Sequence, residues 1–148
     1  MNAMIATEAV HILLVEDNPG DARLARQGLG KCKIPNDVHV VDDGVKAMAF
    51  LHNRGEYATA PRPDLILLDL NLPRKDGREV LREIKEHADF KTIPVIILTT
   101  SRAEEDINKT YALHANCYVA KPLELQQFLD AMRSIEDFWF ATVRLPTR

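Results

Sequence analysis

Residues 65–68 are four consecutive aliphatic side chains that lie between two carboxylates, Asp64 and Asp69. An unbroken aliphatic run of this length is typical of a strand buried on both faces, as in a parallel sheet covered by helices. Asn71 and Pro73 then indicate a loop, so Asp69 lies where the strand meets solvent. At about 3.3 Å per residue, the two carboxylates are about 16 Å apart and cannot share a site. Functional groups collect at the carboxyl ends of parallel strands, which makes Asp69 the candidate and Asp64 an ordinary residue at the start of the strand.

Similar aliphatic runs recur along the chain, each followed by apolar side chains at helical spacing. Five such strand–helix units predict a three-layer α/β fold with helices on both faces of a parallel sheet. Right-handed crossovers leave few topologies, and the flavodoxin-like order 2-1-3-4-5 is the commonest for five units. The predicted strands are 11–15, 38–41, 65–68, 94–99 and 117–120; the predicted helices are 19–31, 103–114 and 124–138, with two more carrying 45–51 and 80–87.

Helical spacing also predicts which helix side chains face the core. The predicted inner stripes are Ala22, Ala25 and Leu29 in the first helix, Val45, Met48 and Leu51 in the second, Val80, Leu81 and Ile84 in the third, and Leu125, Phe128, Leu129, Met132 and Ile135 in the last.

The composition favours one domain and argues against several classes of partner. With 148 residues, 46% of them hydrophobic, the chain can build one core, and a formal net charge of −3 offers no basic stripe for nucleic acid. Cys32 and Cys117 lack companion cysteines at metal-ligand spacing, which predicts reduced thiols. The five histidines include no pair at i, i+3 or i+4, which argues against a histidine-based zinc site. We find no export signal or membrane span, which favours the cytoplasm.

Charged and hydroxyl side chains follow four of the predicted strands. In the order 2-1-3-4-5, Glu16, Asp17, Asp69, Thr99 and Lys121 converge on one edge of the sheet. Carboxylates this close repel unless they are neutralised, and oxygen ligands without cysteine or histidine match Mg²⁺ or another hard divalent cation. An ammonium, a hydroxyl and a metal ion together suit the three oxygens of a phosphoryl group on Asp69. The site is therefore predicted to form an aspartyl phosphate, with the carboxylate as nucleophile.

These motifs, in this order, resemble the receiver domains of the two-component response-regulator family over residues 11–135. The resemblance implies that Asp69 is the phosphoacceptor and that Glu16 and Asp17 are the metal-binding acids. It also implies that Thr99 is the switch hydroxyl and that Lys121 belongs to the family's Lys-Pro motif. The expected partner is a sensor histidine kinase, and the expected role is that of a phospho-accepting switch rather than an enzyme.

Three further features follow from the resemblance alone. Asn71 lies where the family uses a main-chain carbonyl as a metal ligand. Tyr118 matches the aromatic side chain that rotates inward when the switch hydroxyl moves toward the phosphate. The peptide bond between Lys121 and Pro122 is cis in similar proteins, an isomer that X-Pro bonds adopt at modest cost.

A narrower resemblance links the chain to small stand-alone regulators that pair with phytochrome-type histidine kinases. Residues 64–77, 113–122 and 134–139 carry it. It implies a flexible N-terminal segment (1–10), a receiver domain (11–138) and a C-terminal extension (139–148) without an output domain. Similar proteins form homodimers through the fourth helix, fifth strand and fifth helix. Trp139 either extends this apolar surface or folds back on its own core.

Two other functions fit parts of the pattern. A haloacid-dehalogenase-like phosphatase also uses an aspartate nucleophile with Mg²⁺, but it needs a second aspartate two residues later as general acid, where this chain has Asn71. A flavin-binding module on the same fold needs a phosphate-cradling loop after the first strand, where Glu16 and Asp17 would repel phosphate. The phospho-accepting switch is favoured over both.

Overall fold

The computed structural model describes residues 9–30, 35–142 and 145–146. Five strands pair in parallel to form one sheet with the order β2-β1-β3-β4-β5, so the predicted flavodoxin-like topology is confirmed. Strands β3 and β4 are fully buried, as their unbroken aliphatic runs predict. The strands are β1 (Val10–Val15), β2 (Asn36–Val41), β3 (Leu65–Leu68), β4 (Val95–Thr99) and β5 (Cys117–Ala120).

Five α-helices alternate with the strands, and two cores fill the space between helices and sheet. One core contains the buried side chains of α2 and α3, and the other contains those of α1 and α5. Within the described part of the chain, no helix has both the length and the apolar character needed to cross a membrane. The helices are α1 (Pro19–Gly30), α2 (Gly44–Leu51), α3 (Gly77–Glu86), α4 (Glu104–Ala112) and α5 (Leu125–Glu136).

Two of the predicted inner-stripe residues are wrong. Val45 is 50% exposed, because the buried stripe of α2 starts one residue earlier and runs through Gly44, Ala47, Met48 and Leu51. Leu125 is 55% exposed. The close contact of α5 with α1 centres on Met132, which leaves no room for a Cβ on Gly28. Leu125 is seven residues before this contact, about 10 Å along the helix axis.

The carboxyl end of the chain differs from the predicted long helix. Helix α5 ends at Glu136, and the backbone continues as a π-helical segment, Asp137–Thr142. Trp139 is partly buried and packs against the core that α1 and α5 share, whereas Phe138 is 52% exposed. Of the two alternatives for Trp139, the structure therefore supports the one in which the ring folds back on its own core.

Three further expectations concern the start of the chain, the two cysteines and the peptide bond between Lys121 and Pro122. Residues 1–8 and Cys32 lie outside the described residues, and β1 begins at Val10, one residue before the predicted strand. Cys117 is a free thiol of intermediate exposure, and burial raises its pKa. In the described part of the chain no peptide bond is cis, so the bond between Lys121 and Pro122 is trans. The cis isomer expected from the resemblance is therefore wrong for this structure. Because the two isomers of an X-Pro bond differ by only about 0.5–1 kcal/mol, the Lys-Pro pair alone does not determine which isomer forms.

Candidate functional site

Three carboxylates meet where β1 and β3 end. The parallel register pairs Val15 with Leu68, and the Asp69 amide donates to the Val15 carbonyl at 3.1 Å. This pairing brings the residues that follow the two strands side by side. Glu16 and Asp69 are buried, whereas Asp17 is exposed.

Each of these three residues offers one carboxylate oxygen within 4.8 Å of the others. Ligand oxygens about 2.0–2.1 Å from one Mg²⁺ ion lie up to about 4.2 Å apart, so small side-chain movements would allow all three to contact the ion. The donor set contains only oxygen and fits a hard divalent cation. Glu16, Asp17 and Asp69 are therefore the side chains that could hold one.

Lys121 supplies the positive charge at this cluster. Its side chain is 4% exposed, and its ammonium donates hydrogen bonds to Glu16 Oε1, to Asp21 Oδ2 at 3.1 Å and to Asp69 Oδ2 at 3.3 Å. Burial by itself would lower the pKa of Lys121, but the hydrogen bond and charge of Glu16, the charge of Asp69 and the hydrogen bond with Asp21 together outweigh it and raise that pKa. The lysine is therefore held in its charged form among three carboxylates.

Burial also acts on Glu16, whose pKa it raises to about 7 against the lowering effect of Lys121. The other carboxylate oxygen of Glu16 accepts from the amide of Asn18 at 3.2 Å. A divalent cation bound beside Glu16 would favour its ionised form.

Asp21 is a site residue that the sequence analysis missed. It lies in the first turn of α1, four residues after Asp17, and its side chain reaches Lys121 across 100 positions of the chain. The available signal was an acid in the first turn of the helix that directly follows the Glu16-Asp17 pair, because the start of that helix lies beside the end of β1.

The cleft above the carboxylates has a volume of about 460 Å³. Thr99 does not line it, because its side chain is fully buried and its hydroxyl accepts from the amide of Ser101 at 3.5 Å. The next residue, Thr100, lines the cleft instead. Asn71 lines it as well, and its backbone amide donates to Asp69 Oδ1 at 3.3 Å. The lining residues are Glu16, Asp17, Asn18, Pro19, Asp21, Asp69, Asn71, Thr100 and Lys121.

Tyr118 belongs to a hydrogen-bonded network beside the cleft. Its hydroxyl donates to the Ser101 carbonyl at 2.8 Å, and the Ser101 hydroxyl donates to Asp106 Oδ2 at 2.7 Å. Arg78 of α3 donates to Asp106 Oδ1 at 2.8 Å. This network connects α3, the loop after β4, α4 and β5. The loop that carries Ser101 is thus tied to two helices and to the candidate switch residue.

Comparison with known proteins agrees with this architecture. The family model for the response regulator receiver domain matches residues 12–133. The chain is 52% identical over 135 residues to Response regulator Rcp1 of Synechocystis sp., with 91% of this chain and 92% of that protein covered. It is 35% identical to the probable methanogenesis regulatory protein FilR2 of Methanothrix harundinacea, with 91% and 86% covered.

Solved structures give the same result. The Mn²⁺-bound form of Rcp1 superimposes with a TM-score of 0.90 at 51% identity, covering 93% of this chain and 99% of that one. The phosphorylated cyanobacterial phytochrome response regulator RcpA gives 0.92 at 51% identity, covering 95% and 100%. The bacteriophytochrome response regulator RtBRR gives 0.74 at 38% identity, covering 94% and 85%. The chain therefore belongs to the response regulator receiver domain family and is homologous to phytochrome response regulators.

Proposed function

We propose that Asp69 accepts a phosphoryl group from a sensor histidine kinase of the phytochrome type and that this reaction switches the protein's interactions. The observation that carries the proposal is the joining of the Glu16, Asp17 and Asp69 carboxylates with the Lys121 ammonium at one edge of the sheet. Similarity to phytochrome response regulators supports the kinase type. The matched family is that of response regulator receiver domains, and the RcpA structure is of a phosphorylated response regulator, which gives the phosphatase alternative no support.

In the proposed reaction, a carboxylate oxygen of Asp69 attacks the phosphorus of a phosphohistidine. The new bond joins this oxygen to phosphorus, and the bond between phosphorus and the histidine nitrogen breaks, so the electron pair returns to the imidazole. Mg²⁺ held by Asp17, Asp69 and the Asn71 carbonyl would offset the negative charge of the transferring group, as divalent ions do in phosphoryl transfer. Glu16 acts mainly through water and charge.

The neighbouring residues hold the acceptor and read the product. Lys121 already donates to Asp69 Oδ2 at 3.3 Å, so its ammonium can turn to a phosphoryl oxygen on the same carboxylate with little movement. Thr99 then moves toward the phosphate as the switch hydroxyl. This movement pulls on the loop whose Ser101 carbonyl accepts from Tyr118, and Tyr118 follows as the switch aromatic.

The test of the acceptor is the Asp69→Asn variant, which keeps the shape of the side chain but removes the nucleophile. We expect loss of label transfer from a phosphorylated phytochrome-type kinase, with the far-UV circular dichroism spectrum unchanged. Asp64→Asn is the matched control, because Asp64 lies at the other end of the same strand and its oxygen accepts from the His11 amide, which an amide oxygen can also do. Normal labelling of Asp69→Asn would refute the assignment.

We propose further that phosphorylation controls a homodimer formed by α4, β5 and α5. The support is a group of exposed apolar side chains on these elements and the loop between them: Tyr111 at 48%, Leu123 at 91% and Leu125 at 55%. Adding Mg²⁺ and a small phosphodonor should shift the sedimentation profile of the protein, and Leu123→Asp should prevent the shift. An unchanged profile of the phosphorylated protein would contradict this output.

We propose that the phosphoryl transfer to Asp69 takes place in the cytoplasm and that the protein has no membrane or direct nucleic-acid partner. The free thiol of Cys117 suits a reducing compartment, and the formal net charge of −3 does not favour binding to phosphate backbones.

A further inference from the structure

The loop between β4 and α4, residues 100–103, begins directly after the candidate switch hydroxyl. Thr99 is fully buried, and its hydroxyl accepts from the amide of Ser101 at 3.5 Å. To reach a phosphoryl group on Asp69, as the proposed function requires, this hydroxyl must leave the amide, and the start of the loop must move with it. Contacts that hold Ser101 in its present place therefore oppose the switch.

Ser101 is held through both its side chain and its backbone. Its hydroxyl donates to Asp106 Oδ2 at 2.7 Å and accepts from the amide of Ala103 at 3.3 Å. Its carbonyl accepts from the Tyr118 hydroxyl at 2.8 Å. The bond to Asp106 is assisted by the charge of the carboxylate, so it is stronger than the bonds between neutral groups.

Asp106 is in turn fixed to α3 by the guanidinium of Arg78. Two nitrogens of Arg78, Nη2 at 2.8 Å and Nε at 3.2 Å, donate to Asp106 Oδ1, which leaves Oδ2 for Ser101. The Arg78 and Asp106 side chains are only 22% and 19% exposed, so salt screens this pair less than a fully exposed one. Arg78 also donates to Asp76 Oδ1 at 3.1 Å, which fixes the guanidinium at the start of its own helix.

Helix α3 is itself anchored to the loop that carries Asp69. The Gly77 amide donates to the Leu70 carbonyl at 2.9 Å, one residue after the candidate phosphoacceptor. Arg78 therefore belongs to an element fixed beside Asp69, whereas Ser101 belongs to the loop that has to move. A contact made in only one of two conformations shifts the equilibrium toward that conformation.

We propose that Arg78, Asp106 and Ser101 form a latch that holds the unphosphorylated conformation and sets how readily Asp69 retains a phosphoryl group. This inference rests on the proposed function of Asp69. Arg78 and Asp106 are positioning residues, which act on Thr99 through Ser101. Removing the latch should destabilise the resting fold and at the same time favour the switched conformation. A merely structural ion pair differs in this respect, because its loss would not strengthen binding at Asp69.

The probe is BeF₃⁻, which binds a carboxylate oxygen as a stable mimic of the phosphoryl group. Calorimetric titration of the full chain at saturating Mg²⁺ measures its affinity. Arg78→Gln and Asp106→Asn should each bind BeF₃⁻ about fivefold more tightly than the parent, although both should unfold at lower urea concentration. Their effects on affinity should not add in the double variant, because both substitutions break the same contact. Lys75→Gln is the matched control, since it removes an ion pair with Glu83 of α3 and should leave the affinity unchanged.

The outcomes separate the latch from the acceptor site. Equal or weaker binding of BeF₃⁻ by Arg78→Gln, with normal binding by the parent, would overturn the latch and leave the proposed function intact. Binding that survives in Asp69→Asn, or that is absent from the parent, would refute the acceptor assignment and the latch with it. If Arg78→Gln did not fold, as judged by circular dichroism, Ser101→Ala would decide the question, because it removes only the hydroxyl that joins the loop to Asp106.

Discussion

Lys121 is the residue on which the electrostatics of the cleft depend. One ammonium donates to three carboxylates, so the cluster of Glu16, Asp21, Asp69 and Lys121 keeps an excess of negative charge while it is largely buried. Buried charges are costly to strand without a partner. The lysine therefore stabilises the fold in the absence of metal, and it competes with any cation for the same oxygens.

Lys121→Met should make this dual role visible. Removing the ammonium leaves the carboxylates facing one another, so we expect a loss of about 3 kcal/mol in the free energy of unfolding without Mg²⁺. Saturating Mg²⁺ should recover much of the loss, and Mg²⁺ affinity should rise severalfold because the competing charge is gone. Urea unfolding and calorimetric titration measure the two effects. Lys46→Met, which removes an exposed pair with Asp42, is the control and should change stability little. Equal stability of Lys121→Met and the parent would contradict the account.

Asp106 gives the network beside the cleft a predictable response to acid. The hydrogen bond from the Ser101 hydroxyl and then those from Arg78 hold the pKa of Asp106 below its ordinary value of 3.8. The folded state thus binds this proton more weakly than the unfolded state does. Its contribution to stability is present above about pH 4 and is lost as the pH falls through the folded pKa.

Asp106→Asn should therefore be less stable than the parent by about 1–2 kcal/mol at neutral pH, and the difference should shrink below about pH 4. Urea unfolding at a series of pH values measures it. The stability difference between the parent and Ser101→Ala should change with pH in the same way but be smaller. This variant removes the hydrogen bond that lowers the Asp106 pKa most, but it keeps those from Arg78. A difference between parent and Asp106→Asn that stays constant down to pH 3 would exclude the carboxyl as its source.

Among the elements, α3 is the one that sets the position of the Asp69 loop. The Asp76 side chain caps the helix by accepting from the Arg78 amide at 3.0 Å, and the Gly77 amide donates to the Leu70 carbonyl at 2.9 Å. A Cβ on Gly77 would lie 2.2 Å from the Asp69 carbonyl oxygen. The hydrogen bond to Leu70 and the clash with Asp69 both involve backbone atoms, which cannot move aside as a flexible side chain could. The first turn of α3 can therefore approach this loop only because position 77 is glycine.

Gly77→Ala should push α3 and the Asp69 loop apart. We expect a loss of about 3 kcal/mol or more in the free energy of unfolding, since the clash is with backbone and not with a flexible side chain. Mg²⁺ affinity should fall as well, because Asp69 moves relative to Asp17. Gly30→Ala, where an added Cβ meets nothing within 4 Å, is the matched control and should be neutral. Urea unfolding and calorimetry distinguish the variants, and unaltered Mg²⁺ binding by Gly77→Ala would show that α3 does not position the site.

In the folded chain, the candidate site lies at the carboxyl end of the sheet, between the two cores that cover its faces. Side chains of β1 and β3 alternate between the core of α2 and α3 and the core of α1 and α5. Asp17 and Asp69 can approach each other only when the strands are paired, so an ion bound between them favours the folded chain. Metal binding and global stability are therefore linked.

The unfolding free energy should rise with Mg²⁺ concentration by about 2.7 kcal/mol at a free concentration one hundred times the dissociation constant. Urea unfolding at constant ionic strength, with potassium replacing magnesium, measures the effect. Asp17→Asn should flatten the dependence, because it removes an exposed ligand without disturbing the buried part of the site. A Mg²⁺ dependence equal in Asp17→Asn and the parent would show that the ion acts elsewhere.

Local patterns in the chain were enough to predict the order of the elements and which strand ends carry charge. Unbroken aliphatic runs such as 65–68 have one favourable environment, a strand covered on both faces, and parallel pairing then brings residues 16, 17, 69 and 121 to one edge. Residues at the margins of a stripe, such as Val45 and Leu125, escaped this reasoning because helical spacing leaves the edge of the buried face open.

The contacts between side chains far apart in the chain became visible only in the folded protein. Asp21 reaches Lys121, the Tyr118 hydroxyl meets the Ser101 carbonyl, and His11 faces His39 across two strands. These contacts join positions far apart in the chain, and they depend on the register of the strands, the rotamers of long side chains and the tilt of each helix. No local pattern contains that information, because the free energy of each contact depends on how the rest of the chain has packed.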